Sequence, residues 1–155
     1  MKTKQNSIAR IFAVILLLTV LIFTFASCEE KSKTGFCTVV VGDDTPTEYK
    51  VNLDKVEIKE GLMSVLSYLK EEEKLDYKSN DAGYGAYLTE IGDIKEDSAN
   101  GIYIYIWTSV EKDFDVSQYA TTKEYDSKTL TSSGVGASSM TIEDGAVIYI
   151  GTIKY

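Results

Sequence analysis

The chain has 155 residues and a formal net charge of −8, from 24 acidic residues, 16 basic residues and no histidine. This acidic balance argues against nucleic acid as a partner, because phosphate binding requires a basic surface. The lack of histidine excludes a Ser-His-Asp triad, a Cys-His pair and a His-ligated zinc site. We therefore expect a protein that is not an enzyme and that carries no metal site.

Residues 1–27 have the layout of a bacterial lipoprotein signal. Three basic residues precede the uncharged run IFAVILLLTVLIFTF at residues 11–25, and the small residues of ASC lead to Cys28. The run of 15 residues is short against the ~20 that span a bilayer, which favours a cleaved signal over a retained transmembrane anchor. We expect cleavage before Cys28 and a lipid on its sulfur atom.

This signal sets the domain organisation and the location. Residues 28–35 are the lipidated tether, and residues 36–155 form the folded domain. The lipid on Cys28 would hold the domain at the extracytoplasmic face of the bacterial cell membrane. Removing the three basic residues of the signal lowers the net charge from −8 to −11. Cys37 is then the one unmodified cysteine, and its apolar surroundings in FCTVVV predict a buried strand residue.

The domain begins with a predicted hairpin and a helix. FCTVVV at residues 36–41 is rich in β-branched residues, and EYKVNLDKVEI at residues 48–58 alternates apolar and polar positions with a slip near Asp54. EGLMSVLSYLKEEEK at residues 60–74 predicts an amphipathic helix. Its apolar stripe consists of Leu62, Val65, Leu66 and Leu69. We expect this stripe to pack on a sheet.

Further strands are predicted after the helix. SNDAGYGAY indicates a turn region before the strand AYLTEI, and GDIKEDSANG indicates an acidic turn before the strand NGIYIYIWTSV. Residues 108–133 are polar, and we expect an extended loop with room for one short strand. Asp144 and Gly145 mark a tight turn before the last strand.

The strand NGIYIYIWTSV separates two kinds of side chain, because successive residues point to opposite faces of a sheet. Its isoleucines are Ile102, Ile104 and Ile106, and its aromatic residues are Tyr103, Tyr105 and Trp107. One helix can cover only one sheet face, so we expect the isoleucines in the core, with Ile148 and Ile150, and the aromatic residues on an open face. The alternative is that residues 108–133 fold back over the aromatic residues and form a second small core.

Strands around one helix, without regular βαβ alternation, predict an α+β domain with the helix packed on one face of a mixed sheet. The segments VEIKEGLMSVLSYL, GYGAYLTEIGDI, YIYIW and GVGASSMTIEDGAVIYI resemble the transcobalamin-like C-terminal domain family. The most specific motifs are Gly-Tyr-Gly-x-Tyr at residues 83–87 and Ile-x-Asp-Gly at residues 142–145. The resemblance implies a β-grasp-like domain of surface lipoproteins, in a family of largely unassigned function. Related domains of animal cobalamin carriers form part of a corrinoid site.

Two functions are consistent with this sequence. The first is non-enzymatic binding of a small ligand, corrinoid-like or a glycan, on the aromatic sheet face, with no cofactor of its own. This function predicts a concave pocket bordered by Tyr84, Tyr87, Tyr103, Tyr105 and Trp107. The second is a cell-surface protein–protein interaction or adhesion module, with an envelope protein as partner and no small-molecule ligand, and it predicts a flat aromatic patch without a pocket.

Acidic residues suggest two further kinds of chemistry. Asp113 with Asp115, and Glu143 with Asp144, are close enough in sequence to act as acid and base. The loops DIKEDSAN and EKDFD are rich in the oxygen ligands that calcium prefers, but neither matches the spaced Asp-x-Asp-x-Asp-Gly loop. A chain with 24 acidic residues contains such pairs by chance, so we interpret both groups as solvated surface.

Overall fold

The structure is a computed structural model that describes residues 34–81, Gly83 and residues 85–155. The predicted signal of residues 1–27, the lipidation site Cys28 and Tyr84 lie outside the described residues. Within the part of the chain that is described, no helix combines the length and the apolar character needed to cross a membrane. The described residues pack as one compact unit.

The first two strands form the predicted hairpin. Strand β1 covers Phe36–Val41 and pairs antiparallel with β2 at Thr47–Asn52. Strand β2 ends where the Asn52 side chain accepts a hydrogen bond from the Asp54 N–H at 2.9 Å, and a 3-10 turn follows at Leu53–Lys55. This turn explains the slip in the apolar alternation near Asp54.

Helix α1 covers Gly61–Glu71 and confirms the predicted helix. Its start is fixed by Ser64, whose Oγ accepts the backbone N–H of Lys59 at 3.0 Å and of Glu60 at 2.8 Å. Gly61 has a φ of +48°, and a Cβ there would lie 2.6 Å from the Met140 carbonyl oxygen. Only glycine fits this position, because it combines a left-handed backbone with a close backbone approach.

A three-stranded antiparallel sheet follows the helix. It consists of β3 (Tyr77–Asp81), β4 (Ala86–Ile91) and β5 (Ile94–Lys95), in the order β3-β4-β5. Strand β4 confirms the prediction for AYLTEI, whereas the prediction of a turn region at SNDAGYGAY is wrong for its first residues. Strand β3 is an exposed edge, so it carries polar residues that gave no apolar alternation.

The remaining strands belong to a six-stranded sheet. They are β6 (Ile102–Thr108), β7 (Thr122–Tyr125), β8 (Lys128–Ser132) and β9 (Val147–Lys154). The strand order is β2-β1-β9-β6-β8-β7, with β1 and β9 parallel and the other neighbours antiparallel. The last strand is confirmed. The extended loop predicted for residues 108–133 is wrong, because this segment contains the β7–β8 hairpin.

The face of the six-stranded sheet that packs on α1, here called the inner face, carries the main core. Leu62, Val65, Leu66 and Leu69 of the helix are buried against Ile104, Ile148 and Ile150. Ile106 is partly buried at the edge of this core, and Ile102 is half-buried. Buried leucine and isoleucine side chains on the small sheet join the same core. The predicted helix-on-sheet core is therefore confirmed.

Cys37 lies on the inner face and is fully buried, as predicted. Burial raises the pKa of its thiol to about 11, because the thiolate is poorly solvated there. The fold as a whole is α+β, with two sheets and, among the described residues, one α-helix. The mixed sheet with a helix on one face agrees with the sequence prediction, and the finer β-grasp assignment stays a prediction.

Candidate functional site

The opposite face of the six-stranded sheet, here called the outer face, carries the predicted aromatic residues. Alternation along β6 directs Tyr103, Tyr105 and Trp107 away from the helix. Pairing with β9 places Trp107 directly beside Tyr149. The rings of Tyr105 and Trp107 are 5.2 Å apart between centroids, and those of Trp107 and Tyr149 are 6.1 Å apart. The aromatic residues therefore form a continuous row rather than separate side chains.

Trp107 is not on an open face. Its side chain is only 4% exposed, within a second buried cluster here called the outer core. This core consists of Val40, Trp107, Leu130, Val147 and Tyr149. The expectation of an open platform is thus wrong for Trp107, because the hairpin of β7 and β8 covers it. The alternative, in which part of residues 108–133 covers the aromatic residues as a second small core, is confirmed for Trp107, while Tyr105 packs at the margin of this core and Tyr103 is not part of it.

Polar and aromatic contacts hold the hairpin over the outer core. The indole Nε1 of Trp107 donates to Thr121 Oγ1 at 3.0 Å. Lys123 Nζ lies 5.4 Å from the ring centroid of Trp107 and 4.4 Å from that of Tyr149. At the end of β7, Tyr125 packs edge-on against Tyr149, with a centroid distance of 5.6 Å. These contacts link the hairpin to strands in the middle of the sheet.

One further contact joins the two ends of the sheet. The phenol of Tyr125 on β7 donates to Glu48 Oε2 on β2 at 2.8 Å, although β7 and β2 are the opposite edge strands. This hydrogen bond to a carboxylate raises the pKa of Tyr125 to about 12. The sheet therefore curls around the outer core until its edge strands touch through a side chain.

Three tyrosines remain accessible at the far end of the row. Tyr103 and Tyr105 are half-buried, and Tyr155 is 76% exposed. The rings of Tyr103 and Tyr155 are 6.0 Å apart and tilted by 58°. Burial, followed by the neighbouring Tyr155 phenol, raises the pKa of Tyr105. These three residues are called the tyrosine surface below.

The other two predicted residues come from the small sheet. Tyr87 lies on β4 and is half-buried. Burial raises the pKa of its phenol, with further contributions from the Glu96 carboxylate and from Tyr103. Strand β4 contacts β6, so Tyr87 lies on an element next to the one that carries Tyr103. Of the five predicted residues, four therefore lie near one another in the structure. One of these four, Trp107, is covered and does not reach the surface.

Sequence reasoning missed three members of the aromatic row, namely Tyr125, Tyr149 and Tyr155. The alternation in VIYIGTI already places Tyr149 on the face opposite Ile148 and Ile150, so it carried a usable signal. Tyr149 is fixed by its hydroxyl group, which donates to the Gly42 carbonyl at 2.8 Å. Tyr125 gave no such signal, because its contact with Tyr149 depends on how the hairpin folds over the sheet.

The acidic residues considered from the sequence have structural partners. Asp113 is 5% exposed, and its carboxylate accepts both the backbone N–H and the hydroxyl group of Thr141. Asp115 Oδ1 accepts the Ser117 N–H at 2.8 Å. Among the described residues, no cluster of three or more acidic or cysteine side chains is placed to hold a metal ion. The interpretation as solvated surface is therefore wrong for Asp113, because its carboxylate is buried and holds Thr141.

Two solved structures share the fold. The first is a putative metal binding protein from Ruminococcus gnavus ATCC 29149, with a TM-score of 0.50, 15% identity and coverage of 78% of this chain and 98% of the other. The second is haptocorrin in complex with Cbi, with a TM-score of 0.53, 12% identity and coverage of 80% of this chain but only 26% of haptocorrin. No family model and no curated protein sequence matches the chain. At these identities the similarity shows the fold alone.

Proposed function

We propose that this chain is a non-enzymatic, ligand-binding module of a bacterial surface lipoprotein, related to the transcobalamin-like C-terminal domains. The observation that carries the proposal is the tyrosine surface, which offers accessible aromatic rings at the end of an otherwise covered aromatic row. Phenol groups give apolar area with a polar edge, which suits a corrin-like ring or a glycan. The fold shared with haptocorrin, which was solved in complex with Cbi, supports a small ligand.

The site in this proposal differs from an open platform centred on Trp107. Tyr103, Tyr105 and Tyr155 form the contact surface, and Tyr87 extends it toward the small sheet. Trp107 lies beneath the hairpin and supports Tyr105 from 5.2 Å away. The ligand would therefore contact tyrosines and leave the outer core closed.

The module would act from the membrane rather than in solution. A lipid on Cys28 would anchor the chain, and residues 29–35 would act as a short polar tether on the extracytoplasmic side. Metabolic labelling of the full chain with a fatty-acid analogue tests this step. We expect labelling that disappears in Cys28→Ala and remains in Cys37→Ala. Equal labelling of the wild type and Cys28→Ala would contradict the anchor.

Fluorescence titration tests ligand binding at the tyrosine surface. Among the described residues, every strand pair and both cores lie within residues 36–154, so the fragment 32–155 keeps these contacts. Trp107 is the single tryptophan of the chain, and its ring neighbours Tyr105. We expect cobinamide, cobalamin or a cell-wall glycan to change its emission in a saturable way, after correction for ligand absorption.

Two variants test whether the change in emission arises from binding at the tyrosine surface. Tyr105→Ala should abolish the saturable change, because it removes the ring of the tyrosine surface that neighbours Trp107. Tyr68→Ala removes a half-buried tyrosine from the helix, on the other side of the sheet. This variant should keep the saturable change in Trp107 emission. A response that is equal in both variants, or no response to any of the three probes, would contradict the proposal.

A protein-interaction module is the second candidate, and one observation favours it. Val116 is 96% exposed and Tyr119 is 73% exposed, in the loop that follows Asp115, whose backbone N–H donates to the Ser132 carbonyl on β8. Exposed apolar side chains next to exposed tyrosines are typical of protein contacts. A photo-crosslinker at position 119 of the full chain in intact cells should then give one discrete adduct. The same group at position 128 should give none.

A further inference from the structure

A cavity lies at the other end of the outer core from the tyrosine surface. Its volume is about 310 Å³, at the lower end of the roughly 300–1,000 Å³ of ligand pockets. Its floor includes Thr38 and Val147, on the neighbouring strands β1 and β9. Tyr103 pairs with Ile153 near the far end of β9, six residues from Val147, so the two places are about 20 Å apart along the strand. The cavity is therefore separate from the proposed site.

The curl of the sheet builds the walls of this cavity. One wall is β2, with Glu48 and Lys50, and the other is the end of the hairpin, with Asp126 and Lys128. Tyr125 spans the gap between the walls through its hydrogen bond to Glu48. The cavity thus lies at one open end of the curled sheet, between its two edge strands.

Each wall carries one positive and one negative side chain, but the opposite charges do not pair. Among the described residues, no carboxylate oxygen lies within 4.0 Å of the ammonium groups of Lys50 and Lys128. Lys50 Nζ lies instead 5.0 Å from the ring centroid of Phe36. Neutral donors occupy two of the carboxylates that line the cavity. Glu48 accepts the Tyr125 hydroxyl, and Asp144 accepts the Phe36 N–H at 2.8 Å.

This charge pattern selects among ligand classes. A simple anion would approach two lysines but also three carboxylates, in a chain whose net charge is −8. A simple cation would leave both lysines without a counter-charge. A ligand with one group of each sign is neutral overall, so it meets no net repulsion and can contact both kinds of side chain.

We propose that the cavity between β2 and the β7–β8 hairpin binds a small zwitterion with a free amino group and a free carboxylate, of amino-acid to dipeptide size. Its carboxylate would contact Lys50 and Lys128, and its ammonium group would contact Asp126 and Asp144. The aliphatic and aromatic lining from Val147 and Phe36 would receive the apolar part of the ligand. The volume limits the ligand to about this size.

Amide NMR shifts of the fragment 32–155 test the proposal with alanyl-alanine as the probe. Saturable shifts are expected at Thr38, Gly145 and Val147, which line the cavity. N-acetyl-alanyl-alanine and alanyl-alanine amide each lack one charge, and each should bind about tenfold more weakly. Absence of shifts at millimolar dipeptide, or equal binding of the blocked forms, would overturn the proposal.

Two lysine variants distinguish binding in the cavity from unspecific electrostatic attraction of the dipeptide to surface lysines. Lys128→Gln should weaken dipeptide binding about tenfold, because it removes one of the two ammonium groups of the cavity. Lys154→Gln removes an exposed lysine at the far end of β9 and should leave the affinity unchanged. An equal effect of both variants would overturn the assignment of the cavity. Tyr105→Ala should not alter dipeptide binding, so failure at the tyrosine surface and failure here are distinguishable.

Discussion

The two faces of the six-stranded sheet are covered in different ways. The inner face packs on helix α1 through aliphatic side chains that are almost fully buried, whereas the outer face is covered by a hairpin of the same sheet. Each fully buried leucine or valine contributes about 1.5–3 kcal/mol, and the inner core contains many of them. The hairpin contributes one fully buried aliphatic side chain, Leu130, and depends otherwise on single hydrogen bonds and cation–π contacts, each worth about 1 kcal/mol. We therefore expect the inner face to set global stability and the outer face to open locally.

The largest expected effect is on the inner face. Leu66 of α1 is 0% exposed, so Leu66→Ala should lower the free energy of unfolding by about 2–5 kcal/mol. Chemical denaturation of the fragment 32–155 measures this. Glu71→Ala at an exposed position of the same helix is the control and should stay within about 0.5 kcal/mol. A loss below 1 kcal/mol for Leu66→Ala would contradict the assignment of the main core.

The next effect concerns the cover of the outer core. Thr121→Val removes the acceptor of the Trp107 Nε1–H and leaves a buried donor unpaired, at a cost of about 1–2 kcal/mol. Hydrogen exchange should accelerate at the amides of β7 and β8 while those of β1 and β9 stay protected. Thr122 is the next residue and is exposed, so Thr122→Val should change neither the free energy of unfolding nor the exchange rates of β7 and β8. Uniform acceleration throughout the sheet would show that the two faces open together.

A smaller effect is expected where the edge strands touch. Tyr125→Phe removes the hydrogen bond to Glu48 and should cost about 0.5 kcal/mol, because the pair is exposed to solvent. Tyr119→Phe, at an exposed tyrosine, is the control. The measurement is the denaturation midpoint of the fragment 32–155. A loss in the free energy of unfolding as large as that of Thr121→Val would show that the main contact holding the hairpin in place is at Tyr125.

The same contact gives a pH dependence of known sign. The folded state raises the pKa of Tyr125 from its ordinary value of 10 to about 12, so the folded state holds this proton more tightly than the unfolded state. The stabilising contribution is complete below pH 10 and is lost as the pH rises through about 12. In an ultraviolet titration, Glu48→Gln should bring the ionisation of Tyr125 closer to pH 10, which appears as a difference between the titration curves of the variant and the wild type. An unchanged profile in Glu48→Gln would contradict the contact.

The last prediction concerns a chemical probe of the inner face, which leaves the sequence unchanged. Cys37 is the one cysteine of the fragment 32–155, and burial raises its thiol pKa to about 11. We expect a thiol reagent at pH 8 to react slowly with the folded fragment, at a rate set by global opening. The denatured fragment should react at the ordinary rate of an accessible thiol. Fast reaction of the folded fragment would show that the inner face also opens locally.

The sequence predicted the inner face much better than the outer face, for physical reasons. The stripe of α1 and the alternation of β6 and β9 are periodic apolar patterns, and such patterns follow directly from burial on one side. Strands β3 and β7 are sheet edges with mostly exposed or half-buried polar residues, so their sequences carry no such pattern. The turn between β7 and β8 uses Asp126 and Ser127 with positive φ rather than glycine, which removed the usual hairpin signal.

The candidate site, too, could be predicted from the sequence only in part. Alternation assigned Tyr103, Tyr105 and Trp107 correctly to one face, because that depends on one strand alone. What covers a face depends on contacts between distant residues, such as Tyr125 and Glu48, which are 77 positions apart. Local patterns contain no information about such a pair. For this reason the burial of Trp107 and the accessibility of Tyr155 emerged only from the three-dimensional structure.

The parallel pair of β1 and β9 has a consequence for how the domain folds. These strands lie side by side in the middle of the sheet, yet their paired residues are more than 100 positions apart, as Thr38 and Val147 illustrate with a separation of 109 (147 minus 38). The inner core cannot close until β9 has emerged from the ribosome, because Ile148 and Ile150 complete it. Such high contact order slows folding. A nascent chain of this kind would lack its complete inner core until β9 is made, which is compatible with the export that we propose.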